Sequence, residues 1–347
     1  MSTTIYKVDP LQDTRWEEFL QRHPRASVFH TRGWLEALRR TYGYVPVAYT
    51  TCSPHTELRN GLAFCQINSF LTGRRLVSLP FADHCEPLVD SADDLNEIFA
   101  FLSVEVERKK LEYVEIRPRT SVCASMPEFV IGKTFCFHAL DLSLDSEQLF
   151  RSCHKDCIQR KIRRSEREGL TYEEGRSEAL LDKFYRLLLL TRRRHELPPQ
   201  PLKWFRSLIS CLGDRVQICV ASKQGQPIAS ILTLRYKNTF VYKYGASDAR
   251  FHNLGGVPLV FWRAIQQAKK EALQEFDLGR SDYENPGLIA FKDHWGTTRS
   301  VLTYLRYPAQ DFQSTDGYRT RLAKQVFARL PDSILTLTGK LLYKHLG

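Results

Sequence analysis

Apolar positions along the chain fall into two alternating rhythms, and their order predicts two α/β halves. Asp13-Thr14 open a first helix running to Leu20. Phe29, Trp34, Leu35 and Leu38 then recur at helical spacing and stop at Gly43. Three apolar, β-branched runs over 45–52, 61–70 and 74–80 read as strands, followed by a helix from Ala92 to Lys110 and a strand over 112–118. The second half begins where "FHALDLSLDSEQLF" passes from strand to helix. Residues 152–170 read as one helix, with Cys153, Cys157, Ile158 and Ile162 as its apolar positions. Leu180, Leu181, Phe184, Leu187 and Leu188 make the buried stripe of the next helix. Strands "VQICVAS", "QPIASILTLRY" and "TFVYKYGAS" follow, joined by "KQGQ" and "KNT". A helix opens after Gly256 with Pro258 in its first turn, where a missing N–H costs little. Strand "EFDLGRS", a helix near "LIAFKDHW" and strand "VLTYLRYP" complete this half.

Both halves run helices, meander, helix, strand. The length of 347 residues exceeds one ordinary core, so the domains expected are 1–140 and 141–310. Residues 311–347 are expected to form a basic amphipathic helical tail broken near Pro331. Its apolar residues recur at three and four among Arg319, Arg321, Lys324, Arg329, Lys340 and Lys344, a pattern suited to packing on the second domain or to an anionic membrane surface.

Charge and cysteine content narrow the class. A formal net charge of +11 favours anionic partners: nucleic acid, phosphorylated ligands or acidic lipid. No apolar run approaches the ~18–20 residues of a membrane span. The first residues lack the basic-then-apolar plan of a signal peptide, so the expected location is the cytoplasm, with a peripheral position at the membrane's inner face as the tail's contribution. The nine cysteines include no Cys-x-x-Cys pair and are expected to be reduced thiols. Cys153, His154 and Cys157 share one helical end but lack a matching distant pair, so no metal is expected.

The candidate chemistry lies in "YKYGASDARFHNLGGVPLVFWRAI", where an aromatic strand leaves through Gly245 and a helix begins on Gly255-Gly256. Two glycines there serve either a plain turn or a close approach of backbone N–H groups to phosphate, with Arg250 adding a charged contact. The strand and loop beyond that helix bring Asp277, Arg280, Ser281, Lys292 and His294 towards the crevice at adjacent strand ends.

These residues carry a family resemblance. Gly245-Ala246-Ser247, Phe276-Asp277-Leu278-Gly279-Arg280-Ser281 and Phe291-Lys292-x-x-Trp295-Gly296 resemble motifs in the C-terminal half of FemAB-like proteins, members of the GNAT-fold acyltransferases. "HKDCIQRKIRRSEREGL" and "LLLLTRRRHELPPQPLKWF" also resemble segments of the cell-envelope and exopolysaccharide-associated members. The resemblance spans roughly Phe29 to Pro308 and is specific over its last hundred residues. It implies an α/β (α+β) chain of two tandem GNAT-like acyl-CoA N-acyltransferase domains. It also implies an acyl-CoA or aminoacyl-tRNA donor and an amine acceptor on an envelope or polysaccharide precursor. By this resemblance Lys292 stabilises the developing oxyanion and Asp277 orients it or accepts the amine proton. Arg250, Asn253, Gly255, Gly256, Arg280 and Ser281 are expected at the donor phosphates, and Arg160, Arg164, Arg194 and Trp34 at the acceptor. Two departures stand out. Arg250 is further from Gly255 than in the family's phosphate loop, and Leu38 replaces the lysine of W-x-x-x-K.

The rival class is a non-catalytic basic module for nucleic acid or membrane, which the run "RKIRRSER" would suit. No helix-turn-helix, zinc-finger or aromatic-basic sheet signature accompanies it, so sequence-specific DNA binding is not expected.

Overall fold

The computed structural model describes residues 4–120, 129–309 and 332–346. The chain divides into two compact units. One comprises Met1–Phe135, Val301–Gln313 and Lys340–Gly347; the other comprises Cys136–Ser300 and Ser314–Gly339.

In the first unit, α1 (Thr14–Arg22) and α2 (Arg32–Tyr42) precede strands β2 (Val45–Thr50), β3 (Leu62–Ser69) and β4 (Gly73–Val77). Asp13 caps α1 through the Arg15 N–H, Thr31 caps α2 through Trp34, and Gly43 ends α2 at φ 74°, as the residue types predict. The short β1 (Tyr6–Val8) adds antiparallel to β2, and β2, β3 and β4 form an antiparallel meander. Helix α3 (Ala92–Lys109) then crosses over to β5 (Tyr113–Ile116), which lies parallel to β4. Its core gathers Phe64, Phe99, Leu102, Val114 and Ile116.

The second unit repeats this plan. Strand β6 (Val130–Asp141) leads to α4 (Ser146–Ser152). A π-turn over Lys155–Gln159 continues into α5 (Arg160–Arg167). The expected single helix over 152–170 is thus broken at Cys153–His154, because the His154 ring turns back to cap the Asp156 and Cys157 N–H groups. Strand β7 (Thr171–Gly175), a polar edge segment that hydropathy does not mark, is followed by α6 (Glu178–Arg194) and α7 (Leu202–Leu212). The meander β8 (Val216–Lys223), β9 (Gln226–Tyr236) and β10 (Thr239–Ser247) leads through α8 (Gly256–Lys270) to β11 (Glu275–Ser281). The sheet order in this unit is β6-β11-β10-β9-β8-β7, with only β10 and β11 parallel. Helix α8 buries Val260, Phe261, Ala264, Ile265 and Ala268, so its position is fixed by the core. Helix α9 (Pro286–Asp293) follows, and β12 (Thr298–Tyr307), the strand expected to complete this half, lies from Val301 onward in the first unit, where it pairs antiparallel with β5.

Of the expected tail, residues 310–331 lie outside the described residues. The remainder forms α10 (Asp332–Leu346). Leu335 is buried, and Gly339 lies so close to the Pro199 carbonyl that a Cβ there would meet it at 2.0 Å. Among the last residues, His345 is buried and its Nδ1 meets Ser69 Oγ at 2.9 Å. One face of α10 is therefore packed, while Ile334, Leu337 and Leu341 remain exposed.

Candidate active site

Strands β10 and β11 pair only from Thr239–Val241 with Glu275–Asp277, although β10 continues to Ser247 and β11 to Ser281. Beyond that point they part, each helped by an irregularity: between Tyr242 and Tyr244 in β10, and between Asp277 and Gly279 in β11. A cavity of about 390 Å³ lies at this end of the second unit. Ile228 and Ala229 of β9, Ser247 at the end of β10, Gly256–Pro258 at the head of α8, and Ala290, Phe291 and His294 at the end of α9 line it. Cys157, Ile158 and Lys161 line it from the α5 side, and Phe251 and His252 from the turn before α8.

The head of α8 answers the question its glycines raise. Gly255 sits at φ 81°, and a Cβ on it would stand 2.2 Å from the Lys161 carbonyl oxygen. It is glycine because α5 and the turn leave no room, and because the left-handed conformation excludes most side chains. Gly256 packs on Ile228 and Ala229 and also forms cavity wall. Leu259 N donates to Gly255 O, closing the first intrahelical bond, and Pro258 has no N–H. The first-turn N–H groups of Gly256 and Val257 have no place in the helix ladder, and they lie where the cavity meets α8.

Cationic character comes from residues other than those expected. Lys161 is the lining cation on α5. Arg160 points to solvent in an ion pair with Asp156 at 2.7 Å, and Arg164 faces Glu168 at 3.6 Å. Arg250 is exposed and closes a fork on the Asp248 carboxylate, with Nη2 to Oδ2 at 2.6 Å. Neither Arg250 nor the exposed Asn253 lines the cavity. Arg194 Nη1 donates to the Ser247 carbonyl at 3.1 Å, which places it at the rim. Trp34 is fully buried in the first unit with its ring edge-on to Phe29 at 4.9 Å, so it offers no surface to an acceptor.

The two residues expected at the chemistry are also inside. Asp277 is buried, and its Oδ1 accepts the Gly279 N–H at 2.7 Å, bracing the irregularity in β11. Lys292 is buried, and its Nζ donates to the Gly279 and Arg280 carbonyls at 2.9 and 2.8 Å. That ammonium ties α9 to the end of β11, whereas Gly287, Ala290, Phe291 and His294 on α9 face the cavity. Ser281 is buried opposite Cys136 in the β6–β11 register and Arg280 is half-buried; neither lines the cavity.

A pair that the motifs did not mark stands on the wall. His252 Nε2 lies 2.9 Å from Ser247 Oγ. Partial burial, and then the positive charges of Arg194 and Lys161, lower the His252 pKa from its ordinary value, so the ring is neutral near pH 7. His294 is lowered likewise, by burial first and then by His154. An exposed imidazole on the cavity wall, beside the first-turn N–H groups of α8 and one ammonium, suits the transfer of an acyl group to an amine.

A meander, one helical crossover and a splayed parallel pair with its cavity at the crossover helix are the architecture of a GNAT-like domain. Residues 153–293 match the family described as acetyltransferase (GNAT) domain. The chain is 22% identical over 274 residues to the UDP-N-acetylmuramoylpentapeptide-lysine N(6)-alanyltransferase of Weissella viridescens, covering 69% of this chain and 75% of that protein. It is similar to the crystal structure of FemX, with a TM-score of 0.70 at 14% identity over 87% of this chain and 97% of the other. A tandem GNAT protein from the clavulanic acid biosynthesis pathway aligns with a TM-score of 0.54 at 10% identity, over 88% and 99% of the two chains. The match over 153–293 marks a GNAT domain in the second unit, and over most of its length the chain is similar to FemAB-like acyl- and aminoacyltransferases.

Proposed function

We propose that this protein moves an aminoacyl or acyl group from an activated donor to a primary amine of a cell-envelope precursor. The parting of β10 from β11 over a cavity headed by α8 carries this reading, because such a cavity has room for an anionic donor beside its reacting carbonyl. The alanyltransferase relative, which acts on a lysine of a muramoyl-pentapeptide nucleotide, supports an envelope-precursor acceptor. Donor phosphate sits against the Gly256 and Val257 N–H groups with Lys161 as counter-charge. The acceptor nitrogen attacks the donor carbonyl carbon. The C–O bond of an aminoacyl ester, or the C–S bond of a thioester, then breaks. His252, held by Ser247, takes the proton that the amine must lose. His252 then passes that proton to the leaving oxygen or sulfur, which restores its neutral ring. Lys292 and Asp277 position α9 and β11 around this space.

The donor is identified by offering CoA, acyl-CoAs and aminoacyl-tRNAs to the wild-type chain and to Lys161→Met, with calorimetric binding and transfer of labelled acyl group to precursor as readouts. Binding of one donor class, weakened in the variant, is expected. Equal binding by both chains would remove Lys161 and this cavity from the donor site.

A peripheral membrane position fits the exposed face of α10. Ile334, Leu337 and Leu341 are exposed at helical spacing beside Lys340 and Lys344, and no helix among the described residues is long and apolar enough to cross a membrane. Anionic vesicles should sediment the chain, and Leu337→Glu with Leu341→Glu should release it. Vesicle binding unchanged by the double substitution would exclude this face.

A further inference from the structure

The fold supplies what the 153–157 segment lacks in sequence. His294, at the end of α9, comes against His154 with ring centroids 4.5 Å apart. One nitrogen of His154, the Cys157 sulfur and one nitrogen of His294 lie within 4.8 Å of one another. We infer that His154, Cys157 and His294 form a binding site for a borderline divalent transition metal such as Zn²⁺ on the wall of the cavity.

Three observations carry this inference. The ligand set is two imidazoles and one thiol, the chemistry that Zn²⁺ selects over Mg²⁺ or Ca²⁺. Tetrahedral bonds of about 2.0–2.3 Å separate ligand atoms by roughly 3.3–3.7 Å, so closure needs side-chain shifts of about 1 Å. The backbones that carry the ligands are already fastened together: His154 N donates to His294 O at 2.7 Å, and Cys153 Sγ to Trp295 O at 3.8 Å. All three side chains are reachable, His154 being exposed and the other two half-buried.

The surrounding charges set the terms of binding. Lys161 faces the same cavity, and the site lies at the positive end of the helix that begins at Lys155. Asp156 is held by Arg160, and Asp293 by Arg299 at 2.6 Å, so neither carboxylate is spare. The counter-charge must come from Cys157 as thiolate, and binding therefore releases its proton. His154 Nδ1 accepts the Asp156 and Cys157 N–H groups at 3.2 Å, long bonds that the ring gives up when it turns to the metal. Three protein ligands leave a fourth position for water or for an atom of a cavity ligand. Metal binding is independent of the donor assignment and can be measured without any donor.

The test is titration of the chelator-stripped, tag-free chain with Co²⁺, followed by displacement with Zn²⁺. One equivalent of Co²⁺ should give a thiolate-to-cobalt charge-transfer band, abolished by Zn²⁺ and missing in Cys157→Ser. His154→Asn retains a good helix cap while deleting a ligand, and should weaken Zn²⁺ binding at least about tenfold, as should His294→Asn. Cys153→Ser, which alters the neighbouring buried thiol, should keep the band. Circular dichroism shows that each variant is folded. Absence of the band in the wild type, or its persistence in folded Cys157→Ser, would overturn the assignment.

Discussion

Gly255→Ala gives the most direct test of how α8 is set against α5. The added Cβ must stand at φ 81°, which costs a side-chain-bearing residue roughly 1–2 kcal/mol. It would also meet the Lys161 carbonyl oxygen at 2.2 Å, whereas such a carbon–oxygen contact relaxes about 1 Å further out. The blocking atom belongs to backbone inside a helix, so no side chain can swing aside. Overpacking of this kind costs roughly 1–3 kcal/mol more, for a total of roughly 2–5 kcal/mol. Gly256→Ala differs in both respects. Gly256 needs no left-handed conformation, and its Cβ would meet the side chains of Ile228 and Ala229 at 3.0–3.1 Å, which yield by a few tenths of an ångström.

Urea denaturation of both variants beside the wild type measures the difference, and calorimetry with the donor measures its consequence. Gly255→Ala is expected to lose several times more stability than Gly256→Ala. It should also weaken the donor, because relieving the contact pushes Lys161 out of place. A loss below about 1 kcal/mol in Gly255→Ala would show that α5 and α8 do not press together here, and the account of the cavity's rear wall would fail.

His252→Asn should lower turnover about 10²–10⁴-fold, and the wild-type rate should rise from acid with its midpoint below the ordinary histidine value, because the ring's pKa is lowered and its neutral form is the base. A flat profile from pH 5 to 8 would remove it from proton transfer. Lys292→Met should lower melting temperature and activity together, since two carbonyls lose their donor; a kcat loss of about 10²–10³ at unchanged melting temperature would return this lysine to the oxyanion. In the first unit, burial alone would raise the Glu115 pKa, but Arg117 and Arg306 overcome it and hold the carboxyl down to about 2. Its contribution to stability is therefore complete above pH ~4.5 and lost as pH falls towards 2; Glu115→Gln should cost about 3–5 kcal/mol at pH 7 and flatten that acid limb in denaturant titrations.

Which parts of this site could be read from sequence depends on how far apart the deciding residues lie. The meander, the crossover helix and the glycine-opened α8 are local patterns, and hydropathy places them within a few residues. The strand β7 is polar along its length and paired on one side only, so it carries no apolar signature. Along α5 the basic run marks a helix that borders the cavity, but Arg160 and Arg164, the residues expected at the acceptor, pair with acids outside it. Ile158 and Ile162 are buried and set the helix phase; Cys157 and Lys161, one residue to one side of them, face the cavity. Arg160 and Arg164 fall on the solvent face, and their acidic partners at four residues, Asp156 and Glu168, already mark them as surface pairs. Phase and charge pairing were both present in the sequence and together select Lys161. Lys292 is different: its motif marks a residue at the chemistry, but only the geometry shows that two carbonyls of β11 engage its ammonium. His294 is different again. Its meeting with His154 joins residues 140 positions apart through α9 and the kink at Cys153, and spacing rules for metal ligands examine one local segment at a time. A dense positive run thus yields its cavity-lining cation only after the helix phase has discarded the charges that face water, and side chains brought together from two distant segments become visible only when the fold has closed.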